Sequence, residues 1–337
     1  MTLLLNAGFL LCAAALAAQS QTASLYDRAR AAFDAHRYAE AAALFSRAEA
    51  ADPGHSDSLL FEGKALANIG RFSESDQALR RYLARNPNAA DAHYMLGFVL
   101  HRENQPKDSL AEYTQAARFT PPQSDDLKIV ALDYVLLNDY PDAIHWFEQS
   151  VAFDAANREA WYGLGRCYYT QSRFTEAERA FQRALALKPG DIKTLTNLGL
   201  VYEMQNRLDD ADRTYAQAVA LARNDPQSDE WPYLNYASFL LDNNRAADAI
   251  PLLEQAIRIA PRCADCHLKQ GRALAAAGKQ AEAIAELRQA VALSPGDPKM
   301  HYELGRAYRA AGQMEQAKAE LALSAKLYGA KATDGAK

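Results

Sequence analysis

The sequence has few of the features on which enzymes and cofactor proteins depend. It contains no glycine-rich phosphate-binding loop, no HExxH zinc motif and no GxSxG nucleophile motif, and so lacks three common catalytic signatures. Cysteine is scarce, with four in 337 residues. The histidines are scattered, and no nucleophile, base and orienting group fall together in the pattern. We therefore expect a protein that is not an enzyme and that needs no cofactor or metal.

An excess of positive charge is also absent. The chain has 37 Lys and Arg against 42 Asp and Glu, which gives a formal net charge of −5. Neither nucleic acid nor an anionic membrane is therefore expected as a general partner. The hydrophobic content of 49% suits a core that runs along the whole chain.

Charged side chains are missing altogether from residues 1–17, MTLLLNAGFLLCAAALA. This apolar run is too short for a comfortable membrane span. It ends on Ala15-Leu16-Ala17, which has the A-x-A form of a cleavage site, and a polar stretch follows. We interpret it as a secretory signal peptide. The mature chain would then begin near Ala18, contain no membrane span, and be periplasmic or extracellular. The alternative is a short helix that caps the first repeat.

What the sequence does contain is one unit of 34 residues present in nine copies. The copies begin at Thr22, Ser56, Ala90, Ser124, Arg158, Ile192, Glu230, Ala264 and Pro298. Four extra residues, 226–229, separate copies six and seven. A period of this length indicates a repeat protein in which each unit packs on its neighbours.

Copy five shows most clearly that the unit is a pair of helices. Trp161 and Leu164 have the spacing of one face of a first helix, and Ala177 and Phe181 have the spacing of one face of a second helix. Pro189 then ends the second helix, because it has no backbone N–H to donate. Each copy therefore predicts two short helices with a turn between them.

Three positions of the unit, counted from its first residue, keep their side-chain size in every copy. Position twenty is Ala or Ser throughout. Position eight is small: Ala29, Gly63, Gly97, Ala131, Gly165, Gly199, Ala237, Gly271 and Gly305. Position twenty-four is large: Phe45, Leu79, Tyr113, Phe147, Phe181, Tyr215, Leu253, Leu287 and Leu321. We expect the helices of a pair to touch at positions eight and twenty, with position twenty-four filling the space beside them.

This pattern of W, L-G, Y, A, F, A and P over 34 residues resembles the tetratricopeptide repeat. The resemblance implies an all-α fold, a right-handed superhelical solenoid of antiparallel helix hairpins whose concave groove is lined by the first helices. On this basis residues 22–225 are repeats one to six, 226–229 an insert, and 230–331 repeats seven to nine. The last helix is expected over 315–328, with a frayed polar end at 329–337 that includes the tail at 332–337.

The first helix of each unit has a second face that is expected to line this groove, formed by positions two, five, nine, twelve and thirteen. Position nine is basic in five of the nine copies, and tyrosine or phenylalanine recurs at positions five and twelve. Basic groups beside aromatic rings suit a peptide with carboxylates and apolar side chains. The candidate partner-binding residues are Arg30, Lys64, Tyr94, Phe98, Tyr162, Arg166, Tyr169, Arg272, Tyr302 and Arg306. The alternative is that the basic groups pair with aspartates at position two and only keep this face soluble.

One motif carries possible chemistry, the sequence Cys263-Ala264-Asp265-Cys266-His267. C-x-x-C-H is the attachment signature of c-type haem. The repeat favours other readings, because histidine recurs at the same position of copies three and nine without cysteines nearby. A disulfide between Cys263 and Cys266 and a pair of free thiols both stay open. A zinc site is a weaker reading, because only three ligands are local.

These observations lead to one hypothesis and one alternative. The hypothesis is an exported protein–protein interaction scaffold that binds a peptide or a partner protein, which we expect to be acidic, in the concave groove and supports envelope assembly or secretion. Self-association through an exposed end is a variant of it. The alternative is a haem or dithiol redox protein that uses Cys263, Cys266 and His267.

Overall fold

A computed structural model describes residues 25–53 and 57–334, and side chains as far as residue 329. The predicted signal peptide, residues 1–17, lies outside the described residues. All regular secondary structure in the described part is helical, with eighteen α-helices and no strand. The predicted all-α fold of repeated helix hairpins is therefore confirmed.

The chain divides into two compact units, Met1–Gln171 and Ser172–Lys337. Unit 1 contains α1 (25–34), α2 (Tyr38–Ala51), α3 (Ser58–Asn68), α4 (Phe72–Arg85), α5 (Ala90–Arg102), α6 (Pro106–Ala116), α7 (Ser124–Leu136), α8 (Tyr140–Phe153) and α9 (Arg158–Thr170). Unit 2 contains α10 (Phe174–Leu187), α11 (Ile192–Met204), α12 (Leu208–Ala222), α13 (Trp231–Asp242), α14 (Ala246–Ile259), α15 (Ala264–Ala276), α16 (Gln280–Leu293), α17 (Pro298–Ala310) and α18 (Met314–Asp334). Odd-numbered helices are the first helices of the 34-residue copies and even-numbered helices are the second.

Within each unit, helices pack in a regular order. Consecutive helices pack on each other, and each first helix also packs on the first helix of the following copy, as α3, α5, α7 and α9 do in unit 1 and α11, α13, α15 and α17 do in unit 2. The first helices of a unit therefore form a continuous layer, which is the surface on which the candidate residues were predicted.

The small residues at position eight lie where the two helices of a hairpin approach each other. A Cβ added to Gly97 would lie 2.8 Å from the ring of Tyr113, and one added to Gly199 would lie 2.6 Å from Cε1 of Tyr215. These distances are shorter than van der Waals contact, so only glycine fits without a shift of the ring. The hydroxyl oxygen of Ser109, at position twenty, lies 2.8 Å from the Gly97 carbonyl oxygen.

A fourth position with a fixed requirement, position fifteen, was not identified from the sequence. It lies in the turn between the two helices and has φ between 57° and 79° in all nine copies: His36, Gly70, Asn104, Asn138, Ser172, Asn206, Asn244, Gly278 and Gly312. A left-handed residue just after a helix is a common way to satisfy its last carbonyls, and Gly and Asn adopt this conformation most readily.

Two connections between copies are longer than the rest. The connection from α12 to α13 spans residues 223–230, whereas that from α10 to α11 spans only 188–191, so the insert forms a longer loop, as expected. The connection from α6 to α7, residues 117–123, was not expected to be long. Helix α6 ends early because its last turn tightens: the Phe119 amide donates to the Ala116 carbonyl, three residues back, at 3.0 Å.

The last helix is longer than the sequence predicted. Helix α18 continues past Tyr328 to Asp334, so the expected start of a frayed end at Gly329 is wrong. Gly329, Thr333 and Asp334 are weak helix formers, but Ala330, Lys331 and Ala332 between them favour the helix. None of the helices in the described part of the chain is both long and apolar enough to cross a bilayer.

Candidate protein-binding grooves

Two neighbouring cavities open on the first-helix layer of unit 1. One, of about 680 Å³, lies between α3, α5 and α7, with a contribution from Tyr113 of α6. The other, of about 430 Å³, lies between α5, α7 and α9, with a contribution from α8. Both are lined by Phe98, Arg102, Lys128 and Ile129. The shared residues make the two cavities halves of one depression, which we call the unit 1 groove.

The unit 1 groove brings together five of the residues predicted from the sequence. Lys64 and Tyr94 line its first half, Tyr162 and Arg166 line its second half, and Phe98 lines both. The predicted residues Arg30 and Tyr169 line neither half.

The basic groups at the α3 end of unit 1 are paired with carboxylates. Lys64 Nζ lies 2.9 Å from Asp91 Oδ2, and Arg30 Nη2 lies 3.5 Å from Asp34 Oδ1. Both cations also lie over the ring of Phe61, at 5.1 Å for Lys64 and 4.0 Å for Arg30. The alternative reading, in which position-nine cations pair with position-two aspartates, therefore describes Lys64 well.

Tyr94 contributes a ring to the groove, while its hydroxyl already has a partner. The hydroxyl donates to the carbonyl of Thr120 at 2.6 Å. Burial, with a smaller effect from the charge of Asp126, raises the pKa of Tyr94 to about 12. The side chain is therefore neutral at physiological pH and offers a bound peptide mainly its ring face.

Two basic residues of the groove were missed by the sequence analysis. The Arg102 guanidinium carbon lies 4.8 Å from the ring of Phe72 and 5.9 Å from that of Phe98. Lys128 Nζ lies 2.7 Å from Asp125 Oδ1, and this hydrogen bond lowers the pKa of the aspartate. Both occupy groove-facing positions, thirteen and five, but we singled out only the tyrosines at position five.

Arg166 is the most available cation of the groove. It is exposed, and its guanidinium carbon lies 6.0 Å from the ring of Tyr162. Among the residues that the structure describes, no carboxylate lies within ion-pairing distance of it. An exposed guanidinium beside an aromatic ring is suited to bind a carboxylate while the ring packs against an apolar side chain.

A buried carboxylate anchors the floor of the second half. Asp133 is fully buried on α7, and its Oδ1 lies 2.7 Å from Nδ1 of His101, which lines the groove. Its Oδ2 accepts a hydrogen bond from Ser109 at 2.5 Å. In the sequence, His101 is one of the scattered histidines to which no role was assigned. In the structure, His101 is a hydrogen-bonding partner of this carboxylate. A buried carboxylate without partners would be costly.

Unit 2 has a cavity of its own on its first-helix layer, with a volume of about 530 Å³. Arg272 and Arg306, two predicted residues, both line it. Arg306 Nη1 lies 3.2 Å from Glu303 Oε2, while Arg272 has no carboxylate within ion-pairing distance among the described residues. Tyr302 does not line the cavity; its ring lies 5.8 Å from the Arg306 guanidinium carbon. We call this cavity the unit 2 groove.

The C-x-x-C-H motif lies at the start of α15. Cys263 and Cys266 are joined by a disulfide. Both ring nitrogens of His267 face acceptors: Nδ1 lies 2.6 Å from Glu286 Oε2, and Nε2 lies 3.1 Å from the Pro261 carbonyl. Attachment of a c-type haem would need both thiols and the Nε2 of this histidine. All three groups are engaged within the protein, so these residues do not fit a haem.

The same histidine contact recurs in two copies that have no cysteines. His93 faces Glu112 at 2.6 Å and the Pro87 carbonyl at 3.0 Å. His301 faces Glu320 at 2.6 Å and the Pro295 carbonyl at 2.9 Å. We call each set a histidine clamp. Because the same clamp forms in copies without cysteines, the presence of a histidine at position 267 is accounted for by the packing of the repeat. Within the described residues, no group of three or more His, Cys, Asp or Glu could hold a metal ion.

Solved structures of known proteins share this fold. A tetratricopeptide repeat protein from Parabacteroides merdae is 16% identical, with 75% of this chain and 98% of that chain covered and a TM-score of 0.58. PilF of Pseudomonas aeruginosa is 17% identical, with 63% and 94% covered and a TM-score of 0.52. PilW, described as a type IV pilus biogenesis factor, is 19% identical, with 58% and 90% covered and a TM-score of 0.53. No protein of curated function matches the chain.

The repeated hairpins and the grooves on their first helices define a class, that of helical-repeat scaffolds for protein–protein interaction. Two family models, both described as tetratricopeptide repeat, match the sequence, one over residues 131–192 and 237–298 and the other over 32–97, 169–230 and 274–328. The chain belongs to the tetratricopeptide repeat family. Members of this family generally act as non-enzymatic scaffolds for protein or peptide partners.

Proposed function

We propose that the chain is an exported scaffold whose first-helix grooves bind an extended segment of a partner protein, and that this segment carries carboxylates beside apolar side chains. The observation that carries the proposal is the second half of the unit 1 groove. There, Arg102 and Arg166 lie beside the rings of Phe98 and Tyr162. Guanidinium groups bind carboxylates through two parallel hydrogen bonds, and aromatic rings supply most of the apolar binding energy at such interfaces.

The unit 2 groove supports the same chemistry. Arg272 and Arg306 line one cavity, and only Arg306 has an intramolecular carboxylate partner among the described residues. In the second half of the unit 1 groove, cations outnumber the one carboxylate, Glu159, and in the unit 2 groove they outnumber Glu303. The chain as a whole has a formal net charge of −5. Such a local reversal of charge favours acidic partners.

The cellular role that we propose is support of envelope assembly or secretion. It is motivated by the apolar run and A-x-A pattern of residues 1–17. The likeness to PilW, a type IV pilus biogenesis factor by its description, makes assembly of an envelope complex the process to test first.

Binding can be tested without knowledge of the natural partner. The purified chain is used to select from a randomised peptide library, and affinities of selected peptides are measured by fluorescence anisotropy. We expect enrichment of Asp or Glu next to aromatic or aliphatic residues. Arg166→Glu combined with Tyr162→Ala should weaken peptides bound to unit 1 at least about 10-fold. Arg272→Glu combined with Arg306→Glu should do the same for peptides bound to unit 2.

Matched controls separate groove binding from a general charge effect. Lys107→Glu on α6 and Arg288→Glu on α16 make the same charge change at exposed positions of second helices, outside the grooves. We expect near wild-type affinity in both controls. Wild-type affinity in both groove variants, or equal losses in the controls, would contradict the proposal.

Export is tested by mass spectrometry of the N-terminus of the protein isolated from its native host. We expect a mature chain that begins near Ala18 and fractionates outside the cytoplasm. An intact Met1 on cytoplasmic protein would contradict export and leave the binding proposal standing.

A further inference from the structure

The disulfide between Cys263 and Cys266 has no role in either groove. It joins residues only three apart in sequence at the N-terminus of α15. A disulfide stabilises a fold mainly by restricting the unfolded chain, and the effect shrinks with the size of the closed loop. A ring of four residues restricts the unfolded chain little, so stability gives only a weak reason for this bond.

The fold of this segment does not require the disulfide. At the start of copy three, Ala92 and the preceding residue, Ala89, occupy the positions of Cys266 and Cys263, yet α5 begins at the same position of the unit as α15. The histidine clamp holds the segment in both copies. In copy eight, His267 Nε2 contacts the Pro261 carbonyl at 3.1 Å. The Cys263 amide also donates to the Ala260 carbonyl at 3.0 Å. The segment therefore has hydrogen bonds that persist when the disulfide opens.

The two sulfur atoms have unequal surroundings, as an exchange reaction needs. Cys266 is completely buried, whereas Cys263 is partly exposed. Cys263 is the N-cap residue of α15, and its Sγ accepts a hydrogen bond from the Cys266 amide at 3.1 Å. Amide groups at a helix N-terminus stabilise a thiolate, which makes such a cysteine a good nucleophile and a good leaving group.

We propose that Cys263 and Cys266 form a dithiol–disulfide couple that exchanges with thiolates of other molecules, with Cys263 as the attacked and attacking sulfur. This role goes beyond that of a binding scaffold and does not depend on the grooves. The group that reacts with this disulfide is a thiolate, carried by a small thiol or by a protein dithiol.

Exchange with a dithiol substrate takes two steps. The first thiolate of the substrate attacks Cys263 Sγ, the bond from Cys263 Sγ to Cys266 Sγ breaks, and Cys266 leaves as a thiolate that takes a proton from solvent. The second substrate thiolate then attacks the substrate sulfur of the mixed disulfide and releases Cys263 as a thiolate. Two electrons pass from the dithiol to the protein disulfide, so the substrate is oxidised and the cysteine pair is reduced.

The test uses the full chain and two alanine variants that copy residues already present at the N-terminus of α5. Cys266→Ala reproduces Ala92, and Cys263→Ala reproduces Ala89, so both should fold. Each variant is mixed with oxidised glutathione in native buffer, and the mixed disulfide is followed by mass spectrometry. We expect Cys263 in Cys266→Ala to react at least about 10-fold faster than Cys266 in Cys263→Ala. Cys167 is an internal control, because burial raises its pKa to about 11.

A second measurement follows the wild-type disulfide directly. We expect reduced glutathione to open it under native conditions with unchanged helical circular dichroism. A synthetic peptide with two cysteines should also be oxidised by it. Exchange with glutathione alone would assign the couple to small thiols, and exchange with both would assign it to protein dithiols as well. A disulfide that opens only in denaturant, or equal reactivity of the two single variants, would overturn the proposal.

Discussion

Single residues in this chain are constrained mainly by how closely two helices approach. Gly199 lies on α11 opposite Tyr215 on α12, and an added Cβ would lie 2.6 Å from Cε1 of that ring. Tyr215 itself is fully buried. It cannot move away without displacing its own neighbours, because protein interiors are close-packed.

Gly199→Leu should therefore destabilise unit 2. Overpacking of a dense interior typically costs about 1–3 kcal/mol, which should lower the melting temperature measured by circular dichroism. The matched control is Gly190→Leu, because an added Cβ at Gly190 meets nothing within 4 Å. Equal melting temperatures for the two variants would contradict the packing described for position eight.

The histidine clamp of copy nine, formed by His301, makes part of the stability dependent on pH. A neutral imidazole has one N–H, so only the protonated ring can donate to both the glutamate and the proline carbonyl. Burial of His301 disfavours its charge, but the hydrogen bonds with Glu320 and Pro295 and the charges of Glu320 and Asp297 outweigh burial and raise its pKa above 6.5. A raised pKa means that the clamp contributes fully at pH values below 6.5 and is lost as pH rises through the folded-state pKa.

His301→Leu tests this dependence, because leucine occupies the same position in copies one, two, four and six. We expect the stability of the wild type relative to this variant to be greatest below pH 6.5 and to fall as pH rises above that value. Chemical unfolding at a series of pH values measures the difference. A difference that stays constant, or grows with pH, would be the opposite of what the clamp requires.

The clamps also show what could be learned from the sequence alone. Position twenty-three is glutamate in copies three, eight and nine, the copies with histidine at position four, and in no other copy. From the sequence we noted that these histidines recur at one position, but we did not pair them with Glu112, Glu286 and Glu320. The pairing was visible in the repeat alignment. The proline carbonyl was not, because a backbone contact leaves no trace in side-chain identity.

Helices and their connections were predicted well where the repeat is regular and less well where it is not. The hairpins follow from the spacing of apolar residues, so they could be predicted without knowledge of how neighbouring copies pack. The early end of α6 and the extension of α18 to Asp334 depend on how the last turn bonds, which apolar spacing does not encode. Position fifteen was missed because His36 and Ser172 conceal the Gly and Asn preference of the turn.

The loop between α12 and α13 is the element in unit 2 that we expect to be cut first by a protease. It is twice the length of the α10–α11 connection, with residues 223–230 against 188–191, and the exposed Trp231 follows it. Longer exposed connections unfold locally at less cost and are preferred sites of cleavage.

Limited digestion with subtilisin, followed by mass spectrometry of the fragments, tests this expectation. The first cut in unit 2 should fall within residues 223–230, and the 188–191 connection serves as the internal control. A first cut at 188–191, or within a helix of copy eight, would show that the insert is not a weak point.

At the scale of the whole chain, the family and the all-α fold followed from the period, because nine copies of one pattern leave little freedom. The composition of the candidate grooves could be predicted in part. Arg272 and Arg306, both predicted from position nine, line one cavity, and Arg166, predicted from the same position, lies beside Tyr162. Position nine did not predict that Lys64 would be paired with Asp91. Such pairs depend on the distance between side chains of neighbouring copies, which the sequence pattern does not give.

The central claim is that partners bind on the first helices. Hydrogen–deuterium exchange of the chain with and without a selected acidic peptide tests it most directly. For a peptide bound to unit 1, we predict added protection on α5, α7 and α9, whose residues line the groove, and none on α2 and α4, which supply no lining residue. Protection concentrated on α2 and α4, with the first helices unchanged, would contradict it.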